Sequence, residues 1–128
     1  MTDSRYLLDS SAWIGYLQDE SQEINKILAE RKLLLTSAIS FYEIKKKFIK
    51  RHIKEALIQK ALGKIRENSE TMHITGKLCE KAVEASMEYG LHAIDALIYR
   101  SAIENDATLI TMDCDFHKLP GVKIIEQD

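Results

Sequence analysis

Short apolar runs separated by stretches long enough for a helix are the feature that most limits the fold of this chain. Four runs are clear and a fifth is weaker. In chain order they occupy residues 6–8, 33–35, 72–74 (the weaker one), 109–110 and 122–125. Short continuous apolar runs are typical of strands that are buried on both faces. Their alternation with helices predicts an α/β fold, a three-layer sandwich with a central parallel sheet flanked by helices.

Helix-capping residues follow the first two runs. Ser10 and Ser11 come directly after the first run and are predicted to cap a helix that begins at Ala12. Thr36 and Ser37 are predicted to play the same part after the second run. Each of these strands is therefore expected to lead straight into a helix.

Further helices are expected in the second half of the chain. Thr75 is predicted to cap a helix over Gly76–Tyr89, which Gly90 would end. Helices are also expected over 92–104 and 54–67. The apolar positions of this last, amphipathic helix are Ala56, Leu57, Ala61, Leu62 and Ile65.

Composition limits the classes of protein to consider. The 128 residues fit a single domain, expected over 1–128. A net charge of −2 gives no overall field that attracts nucleic acid, so any basic surface has to be local. Cys79 and Cys114 lack metal-ligand spacing, which indicates free thiols in a reducing compartment. Without a secretory signal or an apolar run near the ~20 residues of a membrane span, we expect a cytoplasmic protein with no membrane contact.

Two aspartates come at the ends of predicted strands. Asp9 closes the first strand and Asp113 closes the fourth. In an open parallel sheet, ligands bind beyond the carboxyl ends of the strands, where the strand order reverses. The two carboxylates meet there if these strands are adjacent. The alternative is that each aspartate only caps the turn or helix that follows it.

Two further acids lie on predicted helices. Asp95 falls on an apolar stripe with Ile98 and Tyr99, where an ionised acid is costly unless it has a partner. A partnered core aspartate, or a cap near the helix start, is the alternative. Glu43 lies in the helix after the second strand, and its i+4 neighbour is Lys47. A surface ion pair is the alternative for Glu43.

Several carboxylates in one cleft repel each other unless a cation lies among them. Oxygen-only ligation suits Mg²⁺ or Mn²⁺, and such ions support phosphodiester hydrolysis by a metal-activated water. The sequence has no His/Cys zinc cluster, no glycine-rich phosphate loop and no Gly-x-Ser-x-Gly elbow. A receiver-type or acid-phosphatase phosphotransfer protein would need a second acid adjacent to Asp9 or two residues later. Ser10 and Ser11 fill those positions.

At these acids the sequence resembles PIN-domain proteins, specifically the VapC-type toxins of toxin–antitoxin pairs. Four segments carry the resemblance in the family's order and spacing: residues 8–14 (LDSSAWI), 36–44 (TSAISFYEI), 92–98 (HAIDALI) and 109–116 (LITMDCDF). The resemblance implies a sheet of order 3-2-1-4-5 and an endoribonuclease that depends on Mg²⁺ or Mn²⁺. It also implies a VapB-like antitoxin and a homodimer. A PIN scaffold that binds RNA or protein without cutting stays open as an alternative.

The resemblance assigns roles to particular residues. Asp9, Glu43, Asp95 and Asp113 match the catalytic, metal-binding positions. Asp115 matches an additional acid, expected at the rim or in the second shell. Ser11 and Thr111 match hydroxyl positions that hold water or orient a carboxylate. Trp13 matches a common position that we interpret as core packing rather than base stacking, and His92 as a polar residue at a helix start.

A basic stripe begins at Glu43. At 100° per residue, four lysines cluster around the direction of Glu43 if the helix continues, and they are Lys46, Lys47, Lys50 and Lys54. Phe41, Ile44 and Phe48 point the other way, toward a core. The stripe could follow an RNA backbone into the site, and a solvated helix face is the alternative.

Overall fold

The computed structural model describes residues 4–30 and 33–128, which form a five-stranded parallel sheet. The strands are β1 (Arg5–Leu8), β2 (Leu33–Ser37), β3 (Glu70–Met72), β4 (Thr108–Thr111) and β5 (Val122–Ile124). Their order is β3-β2-β1-β4-β5, and every neighbouring pair is parallel. The predicted α/β fold and the order 3-2-1-4-5 implied by the resemblance are both confirmed.

Helices cover both faces of the sheet. They are α1 (Ser10–Leu17), α2 (Gln22–Ala29), α3 (Ala38–Lys50), α4 (Glu55–Asn68), α5 (Gly76–Tyr89) and α6 (Ala93–Glu104), with a short 3-10 turn at Cys114–Phe116. One core cluster joins the sheet to α1–α4, and the other joins it to α5 and α6. Leu8 and Leu7 of β1 enter opposite clusters. Burial on both faces explains why the central strands are continuous apolar runs.

Several predicted boundaries are confirmed and others are wrong. Ser37 caps α3, Thr75 caps α5, and Gly90 ends α5 in the left-handed conformation. The first helix, in contrast, begins at Ser10 and is capped by Asp9, so Ser10 and Ser11 are its first residues rather than its caps.

Two other sequence predictions need correction. The weak run at 72–74 overlaps β3 only at Met72, because β3 is a short edge strand with an exposed polar start. In α4, Ala56 and Leu57 are exposed, whereas Ile58, Leu62 and Ile65 form the buried stripe. Spacings of three and four residues from Ile58 fit one helix face, and Leu57 lies about 100° away from it.

Cys79 and Cys114 are exposed free thiols, in agreement with the prediction for the cysteines. Across residues 4–30 and 33–128, no helix combines the length and the apolar character that a membrane span requires.

Candidate active site

The carboxyl ends of β1 and β4 meet at the centre of the sheet. Leu8 pairs with Ile110, and the backbone N–H of Asp9 donates to the Ile110 carbonyl at 3.1 Å. From β1 the chain moves outward to β2 on one side, and β4 returns on the other side. This reversal of strand order is where open α/β sheets bind their ligands.

The carboxylate of Asp9 is buried in this crevice, with 4% of the residue exposed. Its Oδ1 accepts hydrogen bonds from the Ala12 N–H at 2.9 Å and the Ser11 hydroxyl at 2.7 Å. Its Oδ2 accepts from the Thr111 hydroxyl. One side chain therefore caps α1 and ties it to the end of β4. The proposed alternative, a capping role, is real for Asp9 and coexists with its place in the crevice.

Two hydroxyls extend this network to the next acid. Ser11 Oγ accepts from the Met112 N–H at 2.9 Å, and Thr111 Oγ1 accepts from the Asp113 N–H at 2.9 Å. Both hydroxyls also donate to Asp9. They fix the backbone that leads into Asp113, so its position is coupled to that of Asp9.

Three aspartates form a tight cluster beside Asp9. One carboxylate oxygen from each of Asp95, Asp113 and Asp115 lies within 4.8 Å of the others. Asp95 is in the first turn of α6. Asp113 caps the 3-10 turn, and its Oδ1 accepts from the Asp115 N–H at 2.9 Å. Asp115, expected at the rim or in the second shell, thus lies within 4.8 Å of both Asp95 and Asp113.

Glu43 reaches the same crevice from α3. Its Oε1 is buried and has no hydrogen-bond partner among the described residues. The expected surface alternative, an ion pair with Lys47, is not formed within the described part of the chain. A buried acceptor without a protein partner is costly, so Glu43 Oε1 is available to a cation or a water at this site.

Burial, with a smaller contribution from neighbouring acids, raises the pKa of Asp9, Glu43 and Asp95. Burial raises the pKa of Asp9 to about 6, against the hydrogen bonds from Thr111, Ala12 and Ser11, and Asp113 adds to the rise. Burial also raises the pKa of Glu43, against the hydrogen bond from the Ser10 side chain, and Asp95 and Asp9 add to the rise. The pKa of Asp95 is raised by burial and then by Asp113 and Asp115. All five acids therefore belong to one electrostatic cluster.

The donor set fits a hard divalent cation. All candidate ligands are carboxylate oxygens, as Mg²⁺ and Mn²⁺ prefer. Asp95, Asp113 and Asp115 have the spacing to share an ion, and Glu43 Oε1 is an unused acceptor beside them. A cation would also offset the repulsion that raises these pKa values.

A lysine-lined groove of about 340 Å³ opens beside Glu43. Three of the four predicted lysines line it, together with the acid itself and three other residues. The lining comprises Ser10, Tyr42, Glu43, Lys46, Lys47, Lys50 and Ile94. The fourth, Lys54, is not on this helix, because α3 ends at Lys50 and Lys54 is the N-cap of α4. The extrapolated helix that placed Lys54 in the stripe is wrong.

A second cleft of about 840 Å³ lies next to Ser11 and Cys114, and its lining includes the acids Glu20, Glu23 and Glu126. Lys47 lines both clefts, and the second also contains Ser11, Arg51 and His117. The sequence analysis missed Arg51 and His117. The i+4 spacing of Arg51 from Lys47 was a usable signal, whereas nothing in the sequence places His117 beside the acids.

Trp13 and His92 lie where the sequence analysis expected them. Trp13 is fully buried in the core and donates its indole N–H to Thr36 Oγ1 at 3.0 Å, so it offers no face to a ligand. His92 is exposed at the N-cap of α6 and makes no side-chain capping hydrogen bond.

A family model of the PIN domain matches residues 6–122, which is most of the chain and includes all five acids. The chain belongs to the PIN domain family. Membership accounts for the sheet order and for the position of this PIN domain's acids at the crevice between β1 and β4.

Solved structures give the same result for the fold. A toxin–antitoxin complex from Klebsiella pneumoniae matches with a TM-score of 0.77 and 25% identity, over 94% of this chain and 98% of that one. VapBC2 from Rickettsia felis, bound to promoter DNA, matches with a TM-score of 0.72 and 20% identity, over 97% and 99%. Mycobacterium tuberculosis VapC20, a sarcin–ricin loop cleaving toxin, matches with a TM-score of 0.69 and 18% identity, over 87% and 92%. A comparison with curated protein sequences gives no significant match.

Proposed function

We propose that this PIN domain is a divalent-metal-dependent endoribonuclease that hydrolyses RNA phosphodiesters. The observation that carries the proposal is the set of five acids at the crevice, in which Asp95, Asp113 and Asp115 share a cation-sized space. The lysine-lined groove beside Glu43 supports a polyanionic substrate.

The proposed metal is Mg²⁺ or Mn²⁺, which Asp9, Glu43, Asp95 and Asp113 would hold, with Asp115 as a further candidate ligand. When bound, such an ion supplies an activated water and offsets charge on the phosphate. The protein's own groups bind and orient the substrate. Glu43 Oε1 is free to accept a hydrogen bond from a water in the crevice. Lys46, Lys47 and Lys50 are positioned to contact backbone phosphates. The expected products carry a 5′-phosphate and a 3′-hydroxyl.

In this proposal Asp9 is a metal ligand, as its family position implies, and it also positions the site. Both of its oxygens already accept hydrogen bonds from the protein, from Ser11, Ala12 and Thr111. That arrangement argues against a phosphotransfer protein that uses Asp9 as a phosphate acceptor, because such an acceptor needs a free oxygen. It suits an acid that holds the ends of β1 and β4 together around the metal site.

We also propose that the chain is the toxin of a VapBC-type pair, a single domain over residues 1–128 with a VapB-like antitoxin. The likeness to the Klebsiella pneumoniae toxin–antitoxin complex, over nearly the full length of both chains, supports this assignment. A homodimer is part of the same proposal.

The decisive test is a paired cleavage assay. Purified protein with Mn²⁺ is expected to cut tRNA or ribosomal RNA, and the Asp9→Asn variant is expected to lose that activity while keeping its fold. Asp106→Asn is a matched control, since Asp106 is exposed in a turn outside the site and has a left-handed backbone that asparagine also tolerates. If Asp9→Asn cuts as well as the control, the site is wrong. If the wild type binds RNA without cutting it, the chain is a silent scaffold.

A further inference from the structure

An aromatic ring lies exposed at the edge of the lysine-lined groove. Tyr42, in α3 directly before Glu43, is 57% exposed. It is the one aromatic residue among the exposed large hydrophobic side chains of the described chain. Trp13, in contrast, is fully buried. An exposed aromatic beside a functional cleft usually serves recognition rather than folding, since it adds little to the core.

The surroundings of Tyr42 connect it to the acids. Glu43 is its neighbour in the chain, and Ile94, which precedes Asp95, lines the same groove. The Lys46 ammonium lies over the Tyr42 ring, 5.6 Å from its centre. Lys46 is one helical turn further along α3, so the ring and a phosphate-binding charge share one face of the helix.

We propose that Tyr42 is a base-stacking residue that receives one nucleobase of a single-stranded RNA segment next to the scissile phosphate. This inference rests on the proposed nuclease function. Single-stranded RNA exposes unstacked bases, which bind aromatic side chains while lysines follow the backbone. The groove volume of about 340 Å³ is at the lower end of the ~300–1,000 Å³ of ligand clefts, which suits a single nucleotide.

The second cleft has a different chemistry. Among the described residues, no Phe, Tyr or Trp lines it, and its charged lining mixes Lys47 and Arg51 with Glu20, Glu23 and Glu126. The two clefts are therefore unequal: the lysine-lined groove offers an aromatic surface for a base, and the second cleft offers none. Preference for the identity or the unpaired state of a base is expected on the Tyr42 side only.

The test measures binding apart from cleavage. All variants are made in an Asp113→Asn background with Mg²⁺, and the anisotropy of a labelled single-stranded RNA oligonucleotide is recorded. Tyr42→Ala is expected to weaken binding by about 5- to 100-fold, the range for the loss of one base stack. Tyr42→Phe keeps the ring and is expected to stay within about twofold of the parent. Ile49→Ala is the matched control, because Ile49 is 52% exposed on α3 but does not line the groove.

An abasic strand separates a base contact from a general loss of affinity. Removal of one base at the stacked position is expected to weaken the parent and Tyr42→Phe, but to have little further effect on Tyr42→Ala, because that variant has already lost the contact. The dependence of binding on salt is expected to stay unchanged in Tyr42→Ala, since no phosphate contact is removed.

Two outcomes overturn the proposal, and they are distinguishable. If the parent binds RNA and Tyr42→Ala binds it equally well, the ring does not stack on a base and the surface is left for a protein partner. If the wild-type protein with Mg²⁺ neither binds nor cuts the RNA, the proposed function fails and this inference fails with it.

Discussion

At the scale of single residues, Asp9 combines two duties in one buried carboxylate, because it caps α1 and accepts from Thr111 of β4. Its pKa is raised from 3.8 to about 6, chiefly by burial. The folded protein thus holds the Asp9 proton more tightly than the unfolded chain does. The contribution of Asp9 to the free energy of unfolding is fully present below about pH 4. It is lost as the pH rises through about 6.

The prediction concerns metal-free protein. Between pH 4 and pH 7.5 the free energy of unfolding is expected to fall by up to about 3 kcal/mol on account of Asp9. Asp9→Asn is expected to flatten this dependence, since asparagine stays neutral and is also a good N-cap. Urea denaturation in EDTA across this pH range measures the effect, with Asp106→Asn as control. An equally steep fall in Asp9→Asn would show that ionisation of Asp9 is not the cause.

A second residue-scale prediction concerns Asp115. Because its carboxylate lies within 4.8 Å of those of Asp95 and Asp113, we expect it to contribute to metal binding. Asp115→Asn is expected to weaken Mn²⁺ affinity by at least about 10-fold, the lower bound of the loss seen for outer-shell partners. Isothermal titration with Mn²⁺ measures the change. If Asp115→Asn binds Mn²⁺ as tightly as Asp106→Asn does, Asp115 does not contribute to metal binding and lies at the rim of the site.

The case of Asp115 shows what local sequence can and cannot predict about the site. Asp9 and Asp113 follow from strand ends, and Asp95 from its misfit on an apolar helix face. Asp115 joins the cluster only because Cys114–Phe116 forms a 3-10 turn capped by Asp113. The direction of such a short turn depends on contacts with the rest of the protein, and the residue spacing alone does not determine it.

At the scale of elements, the strands were easier to predict than the helix ends. The central runs are buried on both faces, so their apolar character stands out. No comparable sequence signal indicates the end of α3. The chain turns at Arg51 and His52, and His52 takes a left-handed φ of 60° without a glycine or proline. The predicted stripe therefore ran on to Lys54, which lies beyond the turn.

Two glycines, one at the end of a helix and one inside a helix, lead to opposite predictions for the stability of the fold. Gly90 ends α5 with φ 70°, and Gly63 lies inside α4 with open space around it. Gly90→Ala is expected to destabilise the fold by about 1 kcal/mol, because alanine is strained in the left-handed region. Gly63→Ala is expected to stabilise it by up to about 1 kcal/mol through helix propensity. Chemical denaturation measures both, and equal signs would contradict the helix boundaries.

At the scale of the whole molecule, a net charge of −2 conceals a strong local asymmetry. Lys46, Lys47 and Lys50 lie beside a cluster of acids, and Lys47 borders both clefts. A uniformly basic protein would bind nucleic acid over its whole surface. In the proposed nuclease, Lys46, Lys47 and Lys50 would attract an RNA strand to the groove that adjoins the acids.

The last prediction tests this arrangement through salt. Each phosphate contact with a single strand contributes about 0.7 to the slope of log affinity against log salt. Replacing Lys46, Lys47 and Lys50 together with alanine is expected to reduce that slope by about 2 for a single-stranded RNA. The control replaces three exposed lysines outside the groove, Lys26, Lys60 and Lys77, and so makes the same change in net charge.

If only net charge matters, both triple variants lose the same slope and the groove has no special role. If the groove binds the backbone, the control keeps the wild-type slope. Adding Lys54→Ala to the first variant tests whether the start of α4 contributes to RNA binding as well as α3. Because Lys54 caps α4 and does not line the groove, this fourth change is expected to have little further effect. A further loss as large as one full phosphate contact would mean that the RNA path extends past the end of α3.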